Sequence, residues 1–225
     1  MPMVRPLASL AVLALAIGAC NGDASPGATN QPSQGTPATV PPVTPRATAT
    51  VVWPAPANPM DLTVAAGLVP ETSEFLEFHV HAHLDIFVDG QPILVPAGVG
   101  INTEDPAVKR FTEADGSTSW GGIETPCSSP CISPLHTHAE FGILHTESAT
   151  PTPNTLGQFF VEWDVELSET CVAEHCAPTP IAAYVDGEPY EGDPREVELT
   201  DEKVIVIVVG TPPAVIPSTY DFSNA

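Results

Sequence analysis

Positive charge is what this 225-residue chain has least of: six Lys and Arg stand against 28 Asp and Glu, a formal net charge of −22 with the histidines neutral. A protein that tracks nucleic-acid phosphates needs a basic stripe, and one that docks on anionic lipid through charge needs a basic patch. The composition excludes both, so no nucleic-acid partner is expected. Aromatic residues are scarce, at 6%. There is no D-x-[DN]-x-[DN]-G loop to account for the acidity by a dedicated calcium site. No apolar run reaches the 18 or more residues of a confident membrane helix. Proline is abundant instead: 27 residues, more than twice the usual share of about 5%. With 43% apolar residues, the chain can still build a core.

The first 60 residues divide by composition. Residues 1–19 carry Arg5 and then an apolar run from Leu7 to Ala19, the n-region and h-region of a signal peptide. The run ends Ile17-Gly18-Ala19-Cys20, which resembles the lipobox of bacterial lipoproteins. The resemblance implies cleavage before Cys20, lipidation of Cys20 and an extracytoplasmic protein anchored to the cell membrane; an ordinary signal peptide with a chance cysteine is the plainer alternative. Residues 20–59 hold nine prolines, seven alanines and six threonines with no periodicity, the composition of a disordered tether. From Met60 onward there are 27 acids and four bases, so the charge belongs to the domain expected over 60–225.

Within that domain the pattern is mainly β. From Glu74 to Asp89, Phe78, Val80, Ala82, Leu84, Ile86 and Val88 alternate with His79, His81, His83 and Asp85, which predicts a strand with one buried face. Asp89-Gly90 suits a tight hairpin returning through Ile93–Val95. The phrase Val88-Asp89-Gly90-Gln91-Pro92 recurs as Val185-Asp186-Gly187-Glu188-Pro189, the same turn chemistry used twice or a diverged duplication. Val204–Val209 is an uninterrupted β-branched run, expected as a buried central strand. One short helix is signalled by the capping box Thr155/Gln158 and by Leu156, Phe159, Phe160 and Trp163 at helical spacing. Strands parted by Gly/Pro turns, with one short helix, predict a β-sandwich or small barrel-like domain.

Six of the seven histidines fall in two clusters. His79, His81 and His83 share one strand face. In Leu135-His136-Thr137-His138-Ala139-Glu140-Phe141-Gly142-Ile143-Leu144-His145, a turn over Ala139–Gly142 pairs His136 with His145 and His138 with Ile143. That places His136, His138 and His145 on one face, close enough to bind one metal ion. Imidazole suits Zn(II) and Cu(II), with Ni and non-haem Fe as further options, and three such ligands with an open fourth position form a common catalytic zinc site. His81 and His83 are the next candidate ligands; Asp85, Glu140 and Glu147 are candidates to orient an imidazole. His175 reads as structural or exposed.

With Cys20 set aside, four cysteines remain. In an oxidising compartment, local disulfides Cys127–Cys131 and Cys171–Cys176 are the simplest scheme. The alternative is Cys131 as a thiolate ligand beside His136 and His138.

Phe78-His79-Val80-His81 resembles the copper-ligand strand of copper/zinc superoxide dismutases, but the zinc-loop histidines and C-terminal arginine of that family do not follow. Glu140 comes too soon after His136-Thr137-His138 for the cupin pattern. A closer resemblance is to uncharacterised extracytoplasmic bacterial and archaeal domains. The matching segments are His81-Ala82-His83-Leu84, Cys131…Leu135-His136-Thr137-His138…Gly142-Ile143-Leu144-His145 and Thr155-Leu156-Gly157-Gln158-Phe159-Phe160. The resemblance runs from about Phe78 to Phe222 and implies that the second histidine cluster is a functional unit, without supplying a reaction. The expectation is a membrane-anchored protein that binds Cu(II) or Zn(II) for buffering, scavenging or delivery. Two alternatives stand beside it: a three-histidine metalloenzyme with an open coordination position, and a protein- or carbohydrate-binding module with pH-sensitive surface histidines.

Overall fold

The computed structural model describes residues 53–224, all within one unit, Pro45–Ala225. The expected signal peptide, the lipidation site Cys20 and the tether as far as residue 52 lie outside the described residues. In chain order the elements are α1 (Pro59–Ala65), β1 (Phe78–Val88), β2 (Gln91–Ile93), β3 (Lys109–Thr112), β4 (Thr118–Gly121), β5 (Leu135–His136), β6 (Ile143–Ser148), α2 (Leu156–Glu162), β7 (Cys171–Val172), β8 (His175–Cys176), β9 (Ile181–Val185), β10 (Glu188–Tyr190) and β11 (Lys203–Val209).

Strand β1 organises the sheet because three other strands pair along it. β11 runs parallel to it from Ala82 to Val88 on one edge. β6 lies antiparallel along its first half on the other edge, and β2 along its end. The order is β10-β9-β11-β1-β6-β5 with β2 beside β1; β3–β4 and β7–β8 form separate ribbons. The domain is mainly β and sandwich-like, as predicted. It departs from expectation in carrying a parallel pair at its centre and two short helices among the described residues. Helix α1 has no apolar stripe to announce it: its buried residues are Pro59 and Thr63, while Val64 faces solvent. The packed region also reaches back before Met60. Trp53 is buried edge-on against Trp163, ring centroids 5.9 Å apart, and its carbonyl accepts from Trp163 Nε1 at 3.0 Å.

Both Asp-Gly turns are hairpins with left-handed backbone at each central residue: Asp89 at φ 49° and Gly90 at 75°, Asp186 at 53° and Gly187 at 84°. The first return strand is Gln91–Ile93, slightly ahead of the expected Ile93–Val95. Each aspartate does a second job at an end of β11: Asp186 Oδ1 accepts from Val204 N at 2.9 Å, and Asp89 Oδ1 from Thr211 N at 3.1 Å. β11 is buried on both faces, as its β-branched run predicts. Ile205, Ile207 and Val209 join the main core with Ala82, Leu84 and Ile86 of β1, Leu144 of β6 and the apolar stripe of α2. Val204, Val206 and Val208 pack on the other face against Ile216, Tyr220 and Phe222 of the C-terminal segment. The capping box of α2 is formed in both directions. One face of the sheet is therefore mainly apolar, with Thr146 and Ser148 of β6 its polar members. The other is apolar over β11 and carries histidines over β1, β6 and β5.

The two local disulfides form as expected, Cys127–Cys131 and Cys171–Cys176. They accord with an oxidising, extracytoplasmic compartment, and they remove Cys131 as a thiolate ligand. Among the described residues no helix is long and apolar enough to cross a membrane.

Glu162, on the core side of α2, is completely buried near Thr63 and Ser133, and neither carboxyl oxygen completes a hydrogen bond of good geometry. Burial pushes its pKa up to about 8. The folded chain thus holds a proton that the unfolded chain releases near 4.5. The stability this provides is full below that lower value and is lost as pH rises toward the higher one. Glu162→Gln keeps the shape of the neutral acid. Its urea midpoint is expected to match the parent at about pH 5 and exceed it at about pH 8.5; equal midpoints at both would refute the account.

Candidate metal centre

Three adjacent strands bring the histidines together. Register sets His81 of β1 opposite His145 of β6, and His145 opposite His136 of β5; one step along, His79 faces Glu147. Cross-strand partners share a face, so these five side chains form one patch. The pairing of His136 with His145 is the one the spacing predicts. His138 arrives by another route, because β5 ends at His136 and no pair with Ile143 forms. Its carbonyl accepts from Trp120 N at 2.9 Å, and its Nδ1–H donates to Trp120 O at 2.6 Å, so β4 turns the ring toward the patch.

Two glycines allow the approach. Gly121 of β4 sits at φ +148°, and a Cβ there would stand 2.8 Å from His138 Nδ1. Gly142 sits at φ +74°, and its Cβ would lie 2.4 Å from Leu84 O, where the chain closes against β1. Any larger residue at either position would push a histidine-bearing segment away.

The donors converge on Glu147. Its Oε1 is 3.1 Å from His79 Nε2, 3.4 Å from His145 Nδ1, and 3.8 Å from both His136 Nε2 and His138 Nε2. One ligand atom from each of His136, His138, His145 and Glu147 lies within 4.8 Å of all the others, and these residues could hold a metal ion. His145 is the middle ring: centroids of His81 and His138 stand 4.5 and 4.4 Å from it. No family model, no curated protein and no solved structure matches this chain. The donor set alone therefore carries the chemistry.

Backbone carbonyls settle which nitrogens are free. His136 Nδ1–H donates to Ser133 O at 2.8 Å, as His138 Nδ1–H does to Trp120 O, so both rings present Nε2 to the cluster. Those two Nε2 atoms are 3.1 Å apart. Two lone pairs cannot face each other at that distance without a proton or a cation between them. Ligand bonds of about 2.0–2.1 Å at tetrahedral angles put donors roughly 3.3 Å apart, close to this spacing. His145 Nδ1, Glu147 Oε2 and, on the β1 side, His81 Nε2 are buried without hydrogen-bond partners. Buried acceptors left unpaired in this way are costly unless something positive satisfies them.

The charges follow the same logic. Burial would raise Glu147, but the neighbouring histidines outweigh it and hold the carboxyl far below its usual range, so it is ionised. Burial pushes His136 well down and His145 to about 4, and burial with the nearby His79 lowers His81. These rings are neutral, with lone pairs available for a metal. His138 goes the other way: burial lowers it, but the adjacent Glu147 carboxylate and the Trp120 carbonyl more than offset that and raise it.

Other expected residues lie elsewhere. His83 shares the strand face but turns away: its Nε2–H donates to Phe141 O at 3.0 Å, Asp85 sits 3.6 Å from its Nδ1, and Tyr220 stacks on the ring at 3.8 Å. It is no part of either histidine group that could hold a metal ion, and its ring packs under Tyr220. Asp85 thus serves His83 and not the cluster, and Glu140 belongs to neither group. His175 packs beside Trp53 and Glu174, away from the centre. Glu147 is a potential ligand itself, beyond the orienting role expected for it; its place two residues after His145 on one strand was the available signal. Glu74, whose carboxyl is raised by burial despite the nearby His138, was not anticipated.

In metal-free protein, Glu147→Gln is expected to lower the His138 pKa, because burial is then opposed only by the Trp120 carbonyl and Glu74. Histidine-resolved NMR titration measures this directly; an unchanged His138 titration would show that Glu147 is not its partner.

Proposed function

We propose that this domain is a metal-binding protein that holds a divalent transition ion, Cu(II) or Zn(II), through His136, His138, His145 and Glu147. The observation that carries the reading is the convergence of buried donors, several of them unpartnered, on one point. Carboxylate and imidazole together suit zinc and copper, with copper the tighter binder in the usual order of divalent ions. Three histidines and a carboxylate already fill a tetrahedral shell, which favours binding over catalysis through an open position.

The sequence adds the setting. A lipobox-like Cys20, a proline-rich tether and a disulfide-bonded acidic domain describe a protein anchored outside the membrane, where it would buffer, scavenge or deliver metal. The domain's excess of carboxylates draws cations to its surface at low salt.

Calorimetric titration of tag-free, chelator-stripped protein tests the reading. Tight uptake of Zn(II) and Cu(II) is expected, with His136→Ala weakening it by about 100-fold or more. No uptake, or a His136→Ala variant that binds like the parent, would overturn it.

A further inference from the structure

A second set of donors adjoins the first. His79, His81 and His145 also offer one ring nitrogen each within 4.8 Å of one another, and the two sets share only His145. The sheet explains the separation: β6 lies between β1 and β5, so His79 and His81 approach His145 from one side while His136 approaches from the other. The stacking reflects this, with His136 at 5.4 Å and His79 at 5.9 Å from the His145 ring. A single ion with bonds of about 2.0–2.2 Å cannot span donors on both sides of a ring.

An unpartnered atom marks this side as well. His81 Nε2 is buried without a hydrogen bond. Glu147 Oε1, which faces the inner histidines, also stands 3.1 Å from His79 Nε2. Besides Glu147, the carboxylates of Glu71, Glu74 and Asp201 border the cluster; Asp201 accepts from His81 N at 3.3 Å. Burial, with Glu147 and Glu77 nearby, pushes Glu71 up to about 7. The domain's four Lys and Arg are engaged elsewhere: Lys109 with Glu124, Arg110 with Thr118 and Trp120, Arg195 with Asp193, and Lys203 with the Glu198 carbonyl.

We propose that the centre is binuclear: a second divalent transition-metal ion is held by His79 and His81 on the solvent side of the first, with His145 and Glu147 between the two. The proposal rests on the metal-binding reading of the inner cluster. Glu147 Oε1 lies within 3.8 Å of a ring nitrogen of His79 on the outer side and of His136, His138 and His145 on the inner one, so this carboxylate borders both positions. The outer position is the accessible one, since the His79 side chain is one-third exposed.

The test is metal content after loading tag-free, stripped full chain with excess Zn(II) and desalting. Two ions per chain are expected for the parent and one for His81→Ala. His79→Ala reads the same loss at a partly exposed position, where folding is not at stake. Loaded with Cu(II), the parent should show an EPR intensity well below its copper content because neighbouring spins couple, and His81→Ala should recover full intensity. One ion in the parent, with full intensity, overturns the binuclear proposal and leaves the inner site standing. Two ions in the parent and in both variants place the second ion elsewhere and overturn it too. No ion at all overturns both readings.

Discussion

A carboxylate buried in a β-sheet has to find positive charge or give up its own. Among the described residues Glu147 finds only histidines, four of them within 3.8 Å of one oxygen. That constraint sets the protonation of the whole patch. Glu147 stays ionised, His138 is drawn toward the charged form beside it, and the deeper rings of His136 and His145 remain neutral. One proton cannot satisfy so many lone pairs, and these residues could hold a cation among them. The backbone devices around it, from the Trp120 carbonyl to the bare Cα of Gly121, hold the His138 ring against this carboxylate.

The sheet divides its two faces between stability and chemistry. The face under α2 is filled mainly by Phe159, Phe160 and Trp163, and Glu162 is the buried carboxyl there. On the opposite face, the C-terminal segment lays Tyr220 and Phe222 over β11, and Tyr220 also covers His83. This cover ends where the histidine patch begins. A strand carrying three alternating histidines is thereby split: its first two join the centre, and its third becomes part of the packing.

How far this could be read from the sequence depended on the range of the contacts involved. Alternation in β1, the β-branched run of β11, the capping box of α2 and the local disulfides are short-range patterns and were legible. So was the pairing of His136 with His145, because a tight turn at Gly142 determines it. The place of His138 was not legible, since it depends on β4, which is distant in sequence and meets it only through Trp120. Nor could alternation say which of His79, His81 and His83 would join. That depends on the register of β1 against β6 and on a C-terminal tyrosine far along the chain.

The position of β11 has a consequence for how the protein comes to be folded. It is the last strand in the chain, yet it lies between β1 and β9 and is fastened at its ends by the two turn aspartates, Asp186 and Asp89. The centre of the sheet therefore closes only when the final 25 or so residues are present, through pairings that span more than half the chain. A chain that emerges from its N-terminus stays without a completed core until almost all of it is out.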